Sequence, residues 1–314
     1  MKVSVIIPCY NLEEHIAACI KALANQELKD FEVIIVDDGS TDNSASIINN
    51  SLKTFNLESK LISQENKGAC AARNKGLEIA KGEFIQFLDG DDILGPAKLL
   101  HHYELAKQKK ADYIIGSYEK RTIQGEVLYE KIIDPTKDES PWNLLMQGNL
   151  GITSSNFFDA NLFKNGIRWK EELKSSQEYA LMFEIMKKST NMFIDHSILT
   201  QITVRDQGSI SKSNISEKWN RYVQLRIEIF EYLKQGKHNV ELASIEQSVF
   251  ESIRMYYPFS KAKAIGYFKK YIDPRFIPKQ SPMCGKIYVG LYRLLGFERT
   301  EKFRSLFRRK RADA

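Results

Sequence analysis

Over its first 115 residues the chain alternates short β-branched runs with stretches of helical spacing, a pattern that predicts βαβ units and a largely parallel sheet. Four strands are read directly, Val3 to Ile7, Phe31 to Val36, Lys60 to Ser63 and Phe84 to Leu88, with a fifth at Tyr113 to Ser117. Helical segments fall between them near Glu13 to Ala24, Asp42 to Asn50, Gly68 to Ala80 and Pro96 to Lys107, the last opening on a proline tolerated in a first turn. From 116 to 204 the pattern is mixed. Thr122 to Tyr129 and Ile152 to Phe158 read as strands, Pro141 to Gln147 and Glu178 to Lys188 as helices, and Met192 to Ile194 and Ile198 to Val204 as two further strands. After Ser211 the chain turns helical, with Trp219, Val223, Ile227, Phe230 and Leu233 at helical spacing and another helix from Val240 to Tyr256. The expected organisation is an α/β domain over 1–212, in halves 1–115 and 116–212, and a helical extension over 213–314.

Composition narrows this little. With 43% hydrophobic and 27% charged residues among 314, the chain has an ordinary globular make-up. Cys9, Cys19, Cys70 and Cys284 are too scattered for a disulfide framework or a C-x-x-C pair, which points to a reducing compartment. The N-terminus has neither a long apolar segment nor a cleavage site, and no run of about eighteen apolar residues suggests a membrane span. Charge says more. The net charge is +6, yet Lys286 to Ala314 holds nine Lys/Arg against three Asp/Glu, so the preceding residues balance at 37 of each sign. A nucleic-acid partner is not expected, because its basic stripe would run through the folded body.

Three polar clusters stand at predicted strand ends. Asp37-Asp38-Gly39-Ser40 follows the apolar run from Phe31 to Val36; such a strand is buried on both faces, so its polar end points into a ligand crevice. Asp42 reads as a helix cap. Asp89-Gly90-Asp91-Asp92 follows Phe84 to Leu88, and its crowded carboxylates suit a hard divalent cation or form a solvated acidic turn. Asn66-Lys67-Gly68-Ala69-Cys70-Ala71-Ala72-Arg73-Asn74 opens a helix of small residues that let backbone approach a ligand, with Arg73 offering a fork for anionic oxygens. Neither G-x-G-x-x-G nor the P-loop pattern is present. His101 and His102, adjacent on a helix, point to different faces, and these and the isolated His15, His196 and His238 read as structural.

Taken together, Val5-Ile6-Ile7-Pro8-Cys9-Tyr10-Asn11, Val36-Asp37-Asp38-Gly39-Ser40, Asn66-Lys67-Gly68 with Ala72-Arg73-Asn74, and Phe87-Leu88-Asp89-Gly90-Asp91-Asp92 resemble the family 2 glycosyltransferases in order and spacing. The resemblance implies a Rossmann-like GT-A fold, a mainly parallel sheet flanked by helices, with a donor-binding half in 1–115 and an acceptor half in 116–212. It implies that Pro8, Tyr10, Asp38 and Arg73 hold the nucleotide, that Asp89 lies nearer the ribose or sugar, and that Asp91 of the D-x-D motif binds Mn²⁺ or Mg²⁺. Ser175-Ser176-Gln177-Glu178-Tyr179 resembles the motif that houses the catalytic base, usually an aspartate preceded by glutamate. Here Glu178 is the candidate base; otherwise it is a helix-start carboxylate favoured by the macrodipole. Arg205 with Gly208-Ser209 resembles a loop that closes over the donor phosphates.

The function so implied is metal-assisted, inverting transfer of a sugar, from a UDP-sugar, to a glycan or lipid-linked acceptor in cell-surface polysaccharide synthesis. The enzyme is expected in the cytoplasm, at or near the inner face of the membrane. A scaffold that kept the donor pocket and lost its base is the alternative. A nucleotidyltransferase is disfavoured, because its glycine-rich, arginine-bearing N-terminal loop is absent. In the basic tail, Ile287, Leu291, Leu294, Leu295, Phe303, Leu306 and Phe307 recur at helical spacing. Residues 286–311 therefore form a helix that lies on an anionic membrane or packs on the catalytic domain.

Overall fold

The alternation produces β1 (Val3–Cys9), α1 (Ile16–Ala24), β2 (Phe31–Asp37), α2 (Ser44–Phe55), β3 (Ser59–Ser63), α3 (Ala69–Ile79) and β4 (Phe84–Phe87) in turn. Residues 1–134, 140–204, 215–236 and 240–312 are described in this computed structural model, with side chains as far as Ser305. The four strands pair in parallel in the order β3-β2-β1-β4. Each helix serves as a crossover, as parallel neighbours require. Every residue of β1 and β2 is buried, because helices cover both faces. On one face Ile16, Cys19, Ile20 and Leu23 of α1 and Ile48 of α2 pack with Val3, Val5, Ile7, Val33 and Ile35. On the other, α3 lies so close to β1 that a Cβ at Gly76 would collide with the Ile6 side chain.

The chain continues through β5 (Ile93–Leu94), α4 (Lys98–Lys109), β6 (Tyr113–Arg121), β7 (Val127–Lys131), α5 (Pro141–Gln147), β8 (Phe157–Asp159), α6 (Asn161–Lys164), α7 (Gln177–Met186) and β9 (Met192–Thr203). These strands extend the sheet from β4 through β8, β6 and β9 to β5, with β7 on the free side of β6. β6 and β9 are parallel, and the β4–β8, β6–β8, β5–β9 and β6–β7 pairings are antiparallel.

Three departures from the expected elements have local causes. Thr122 to Glu126 is a turn, closed by Thr122 N–H to the Glu126 carbonyl and by Gly125 at φ +88°, so β7 starts only at Val127. Residues 150–156 are irregular because their polar groups are engaged elsewhere, which shortens the expected strand to β8. The two strands expected between 192 and 204 are one, β9, whose register against β6 shifts after Gly116 and again after Ser117.

The chain forms two compact units, Met1–Asp138 with Gly148–Ser209, and Glu139–Gln147 with Ile210–Ala314. The second comprises α5 with α8 (Ile215–Gln235), α9 (Leu242–Tyr256), α10 (Lys261–Tyr271) and α11 (Lys286–Ala312). Its core centres on Phe250, ringed by Phe268, Phe276, Tyr292 and Phe297. α11 kinks at Gly296, whose φ is +71°. Its inward face carries Tyr288, Val289 and Tyr292, whereas Ile287 and Leu294 stand 81% and 83% exposed. Among the described residues no helix is long and apolar enough to cross a membrane, and all four cysteines are free and buried.

At the end of the sheet where β1 begins, Gly82 N–H donates to Ser4 Oγ at 2.7 Å, and Ser4 Oγ donates to Glu32 Oε1 at 2.7 Å. A Cβ at Gly82 would collide with the Ser4 backbone nitrogen, which cannot swing aside. Gly82→Ala is expected to cost about 1–3 kcal/mol, as overpacked positions do, and urea unfolding monitored by circular dichroism measures it.

Candidate active site

The strand order reverses between β1 and β4, and in such sheets the crevice beyond the carboxyl ends at the reversal binds ligands. The ends of β1, β2 and β4 supply Pro8 to Tyr10, Asp37 to Ser40 and Asp89 to Asp92. Pro8 is paired with Val36 of β2, while the β1–β4 ladder has already stopped at Ile6 and Phe87, a strand end where a residue without N–H is tolerated. Tyr10 is exposed. Asn11, at φ +50°, ties the two loops together. Its N–H donates to Ser40 Oγ at 3.0 Å and its Oδ1 accepts from Thr41 N–H at 2.8 Å. Asp42 caps as expected, accepting from Ser44 N–H at 2.9 Å at the start of α2.

Asp38 is buried and already engaged. Its Oδ1 accepts from Gln64 Nε2 at 2.7 Å and Lys67 N–H at 2.9 Å, and its Oδ2 accepts from Gly68 N–H at 2.7 Å. The carboxylate thereby shapes segment 64–68, which opens α3 at Gly68 with φ +92°. Gly39 must stay small beside this segment, since a Cβ there would lie 3.1 Å from Asn66 N and its φ is +76°.

The small residues of α3 carry Arg73 into the interior, where it is 5% exposed. Its Nη2 donates to Asp89 Oδ1 at 2.6 Å, and its guanidinium stacks 4.5 Å from the centre of the Trp169 ring. Nε and Nη1 are buried without a hydrogen-bond partner among the described residues. Asn74 holds the stacking ring in place: its Nδ2 donates to the Trp169 carbonyl and its Oδ1 accepts from Trp169 N–H, both at 2.9 Å.

In the acidic turn the three carboxylates part ways. Asp89 takes Arg73. Asp92 turns inward, where Ser154 Oγ donates to Oδ2 at 2.6 Å and Thr203 N–H donates to Oδ1 at 3.2 Å. Ser154 Oγ in turn accepts from Asp89 N–H at 3.0 Å, so one hydroxyl braces both ends of the turn. Burial, then the Asp91 and Asp89 charges, push the Asp92 carboxyl well above the usual range. Asp91 is partly exposed. Among the described residues no three acids, histidines or cysteines form a closed metal cage. Asp89 is engaged by Arg73, while Asp91 lies between the two engaged carboxylates of the turn.

Glu178 lies in the first turn of α7, partly buried, after Ser176 at φ +57°. Burial first, then the Asp89 charge, raise its carboxyl pKa, with Arg73 and Lys120 pulling the other way. Gln177 is committed to the Leu173 carbonyl at 2.7 Å. Asp89, Arg73 and Glu178 thus lie within electrostatic reach of one another, and Arg205 falls outside the described residues. Trp169, Ser154 and the anchoring role of Asp92 were not foreseen; a lone tryptophan and serine in irregular chain carry no periodic signal. His101 and His102, expected to face apart, both place Nε2 3.1 Å from Asp195 Oδ2, leaning on one carboxylate from two sides. Beside them Lys98 donates to the Ser155 carbonyl at 2.6 Å, and burial lowers its pKa to about 7.

Residues 4–162 match the family model for glycosyl transferase family 2. Glycosyltransferase GlyG of Streptococcus pneumoniae is 27% identical over 246 residues, which cover 73% of this chain and 78% of that protein. Two further curated relatives are longer, and this chain spans 31% and 27% of them. Among solved structures, S. aureus TarS in complex with UDP-GlcNAc aligns with a TM-score of 0.72 at 20% identity, over 99% of this chain and 92% of that one. The mannosyltransferase PcManGT from Pyrobaculum calidifontis, in complex with GDP-Man and Mn²⁺, aligns with a TM-score of 0.58 at 17% identity, over 96% of this chain and 82% of that one. The GT-A fold expected from the motifs is the fold found, and with half of its length matched the chain belongs to the family 2 glycosyltransferases.

Proposed function

We propose that this glycosyltransferase moves a sugar from a nucleoside-diphosphate sugar, of the UDP class, to a hydroxyl of a glycan or lipid-linked acceptor in cell-surface polysaccharide synthesis, with inversion. The observation that carries the reading is the Arg73–Asp89 ion pair beyond the strand-order reversal, within electrostatic reach of the Glu178 carboxyl. The UDP-GlcNAc bound by TarS and the GDP-Man and Mn²⁺ bound by PcManGT support a nucleotide-sugar donor and a divalent ion here.

In this reading the Pro8 backbone and Tyr10 border the nucleotide base. Asp38 contributes by holding segment 64–68 against it. The two unpartnered nitrogens of Arg73, Nε and Nη1, are donors for ribose or phosphate oxygens, with Arg205 assisting at the phosphates. Asp91, with Asp89 beside it, would hold Mn²⁺ or Mg²⁺. Such an ion, when bound, neutralises charge developing on the departing nucleoside diphosphate. Glu178 accepts the proton of the acceptor hydroxyl as it attacks the anomeric carbon, and a carboxyl raised by burial is the stronger base. A hydroxyl attacking opposite the leaving group needs no covalent intermediate and inverts the centre. We also assign the outward Ile287 and Leu294, flanked by Lys286 and Arg293, to contact with an anionic membrane surface through 286–311, which would hold the enzyme at the inner face of the membrane.

Calorimetric titration of UDP-, GDP- and dTDP-sugars with and without Mn²⁺ is expected to show metal-dependent binding of the UDP class, lost in Asp91→Ala; no binding by wild type to any of them sinks the donor assignment. Glu178→Gln is expected to retain donor affinity and lower kcat by about 10²–10⁴-fold. The base must be ionised, so kcat should fall as pH drops through the raised Glu178 pKa, and the Gln variant should lack that acid limb. Co-sedimentation with vesicles containing phosphatidylglycerol should retain wild type and release Ile287→Glu/Leu294→Glu; equal sedimentation of both would remove the membrane assignment.

A further inference from the structure

The β6–β7 hairpin segregates its charges. Tyr118 pairs with Lys131, and Lys120 with Tyr129, in antiparallel register. Directly opposed residues share a face, as do residues two apart on one strand. Tyr118, Lys120, Tyr129 and Lys131 therefore form one patch in which each ring stands opposite a cation. The Lys120 ammonium lies 5.6 Å from the Tyr129 ring centre, consistent with that register. Glu119 and Glu130 oppose each other on the other face, where Arg121 neutralises Glu119 at 2.8 Å. Among the described residues neither Lys120 nor Lys131 forms an ion pair, and Tyr129 is 47% exposed.

This patch borders the candidate base. Lys120 acts on the Glu178 carboxyl, and the Tyr118 hydroxyl is pushed up to about 12 by burial, then by Tyr129 and Glu178. The donor machinery proposed above uses none of the four residues. Tyr118 is buried beneath the patch, so the exposed Tyr129 ring is the flat apolar surface left for the C–H face of a sugar or polyol, and lysine is a point charge that suits anionic oxygens in varied geometry.

We infer that this hairpin face is the acceptor platform, and that the acceptor is an anionic polyhydroxylated chain whose negative groups lie beside the hydroxyl that Glu178 activates. The inference rests on the proposed transfer reaction. Anionic groups engage Lys120 and Lys131 while an adjoining sugar or polyol unit rests on Tyr129, which sets the register of the chain against Glu178.

The test is calorimetric binding of three defined probes to the full chain with UDP and Mn²⁺ present: hexameric glycerol phosphate, a hyaluronan hexasaccharide and neutral maltohexaose. At least one anionic probe is expected to bind about tenfold tighter than maltohexaose, with the advantage shrinking as salt rises, because exposed charges are screened. Phosphate and carboxylate chains are told apart by which of the two binds. Lys120→Gln/Lys131→Gln should lose about tenfold for that probe and keep its affinity for UDP, as loss of two exposed charge contacts implies. Tyr129→Ala should weaken anionic and neutral probes alike. Equal binding of all three probes, or an unchanged double variant, overturns the inference while leaving the donor reading intact. A wild type that binds no nucleotide overturns both.

Discussion

Three carboxylates within four residues at the end of one buried strand repel one another, and the low-dielectric crevice around them strengthens that repulsion several-fold over water. Much of the neighbouring architecture follows from how Asp89, Asp91 and Asp92 are separated. Asp89 is compensated by a buried guanidinium, while Asp92 is drawn inward, and burial pushes its carboxyl toward the neutral form. The irregular chain from 150 to 156 exists to make this possible. Its Ser154 side chain spans the turn, its Ser154 carbonyl accepts from Gln86 Nε2 at 3.0 Å, and its Ser155 carbonyl accepts from Lys98. A regular strand there would have turned these groups into ladder partners instead.

Arg73 is the complementary case. A buried guanidinium is costly unless paired, and here one carboxylate and one ring face offset only part of the cost. Its remaining donors are left unmade, at about 1–3 kcal/mol each. Small residues of α3 and the Asn74 clamp on Trp169 hold it there regardless. The Arg73 Nε and Nη1 are the buried donors beside Asp89 that the described residues leave unsatisfied.

Much of the fold was legible in the sequence. β1 to β4 announced themselves because strands covered on both faces are nearly continuous apolar runs, and their polar ends stood out against them. Motif resemblance picked out Asp38, Arg73, Asp89 and Glu178 as candidates, and the fold pairs Arg73 with Asp89. What could not be read was anything made by tertiary contact between irregular segments: Trp169 over Arg73, Ser154 beneath the acidic turn, and the joining of two predicted strands into the bulged β9. The tail was read correctly as helical. Its inward face was not legible because Tyr288 and Tyr292 pack there beside Val289, while Ile287 and Leu294 point outward.

The strand order has a consequence for how the chain is born. β1 is synthesised first, yet it lies between β2 and β4, and its second edge is covered only when Phe84 to Phe87 has been made, about 80 residues later. At bacterial and eukaryotic synthesis rates of about 5–20 residues per second, that interval is on the order of 4–16 s. Throughout it, the apolar segment from Val3 to Ile7 has an open hydrogen-bonding edge, the kind of surface on which nascent chains aggregate. The same placement that sets β1 at the centre of the parallel half leaves the segment from Val3 to Ile7 with one unpaired edge until Phe84 to Phe87 is made.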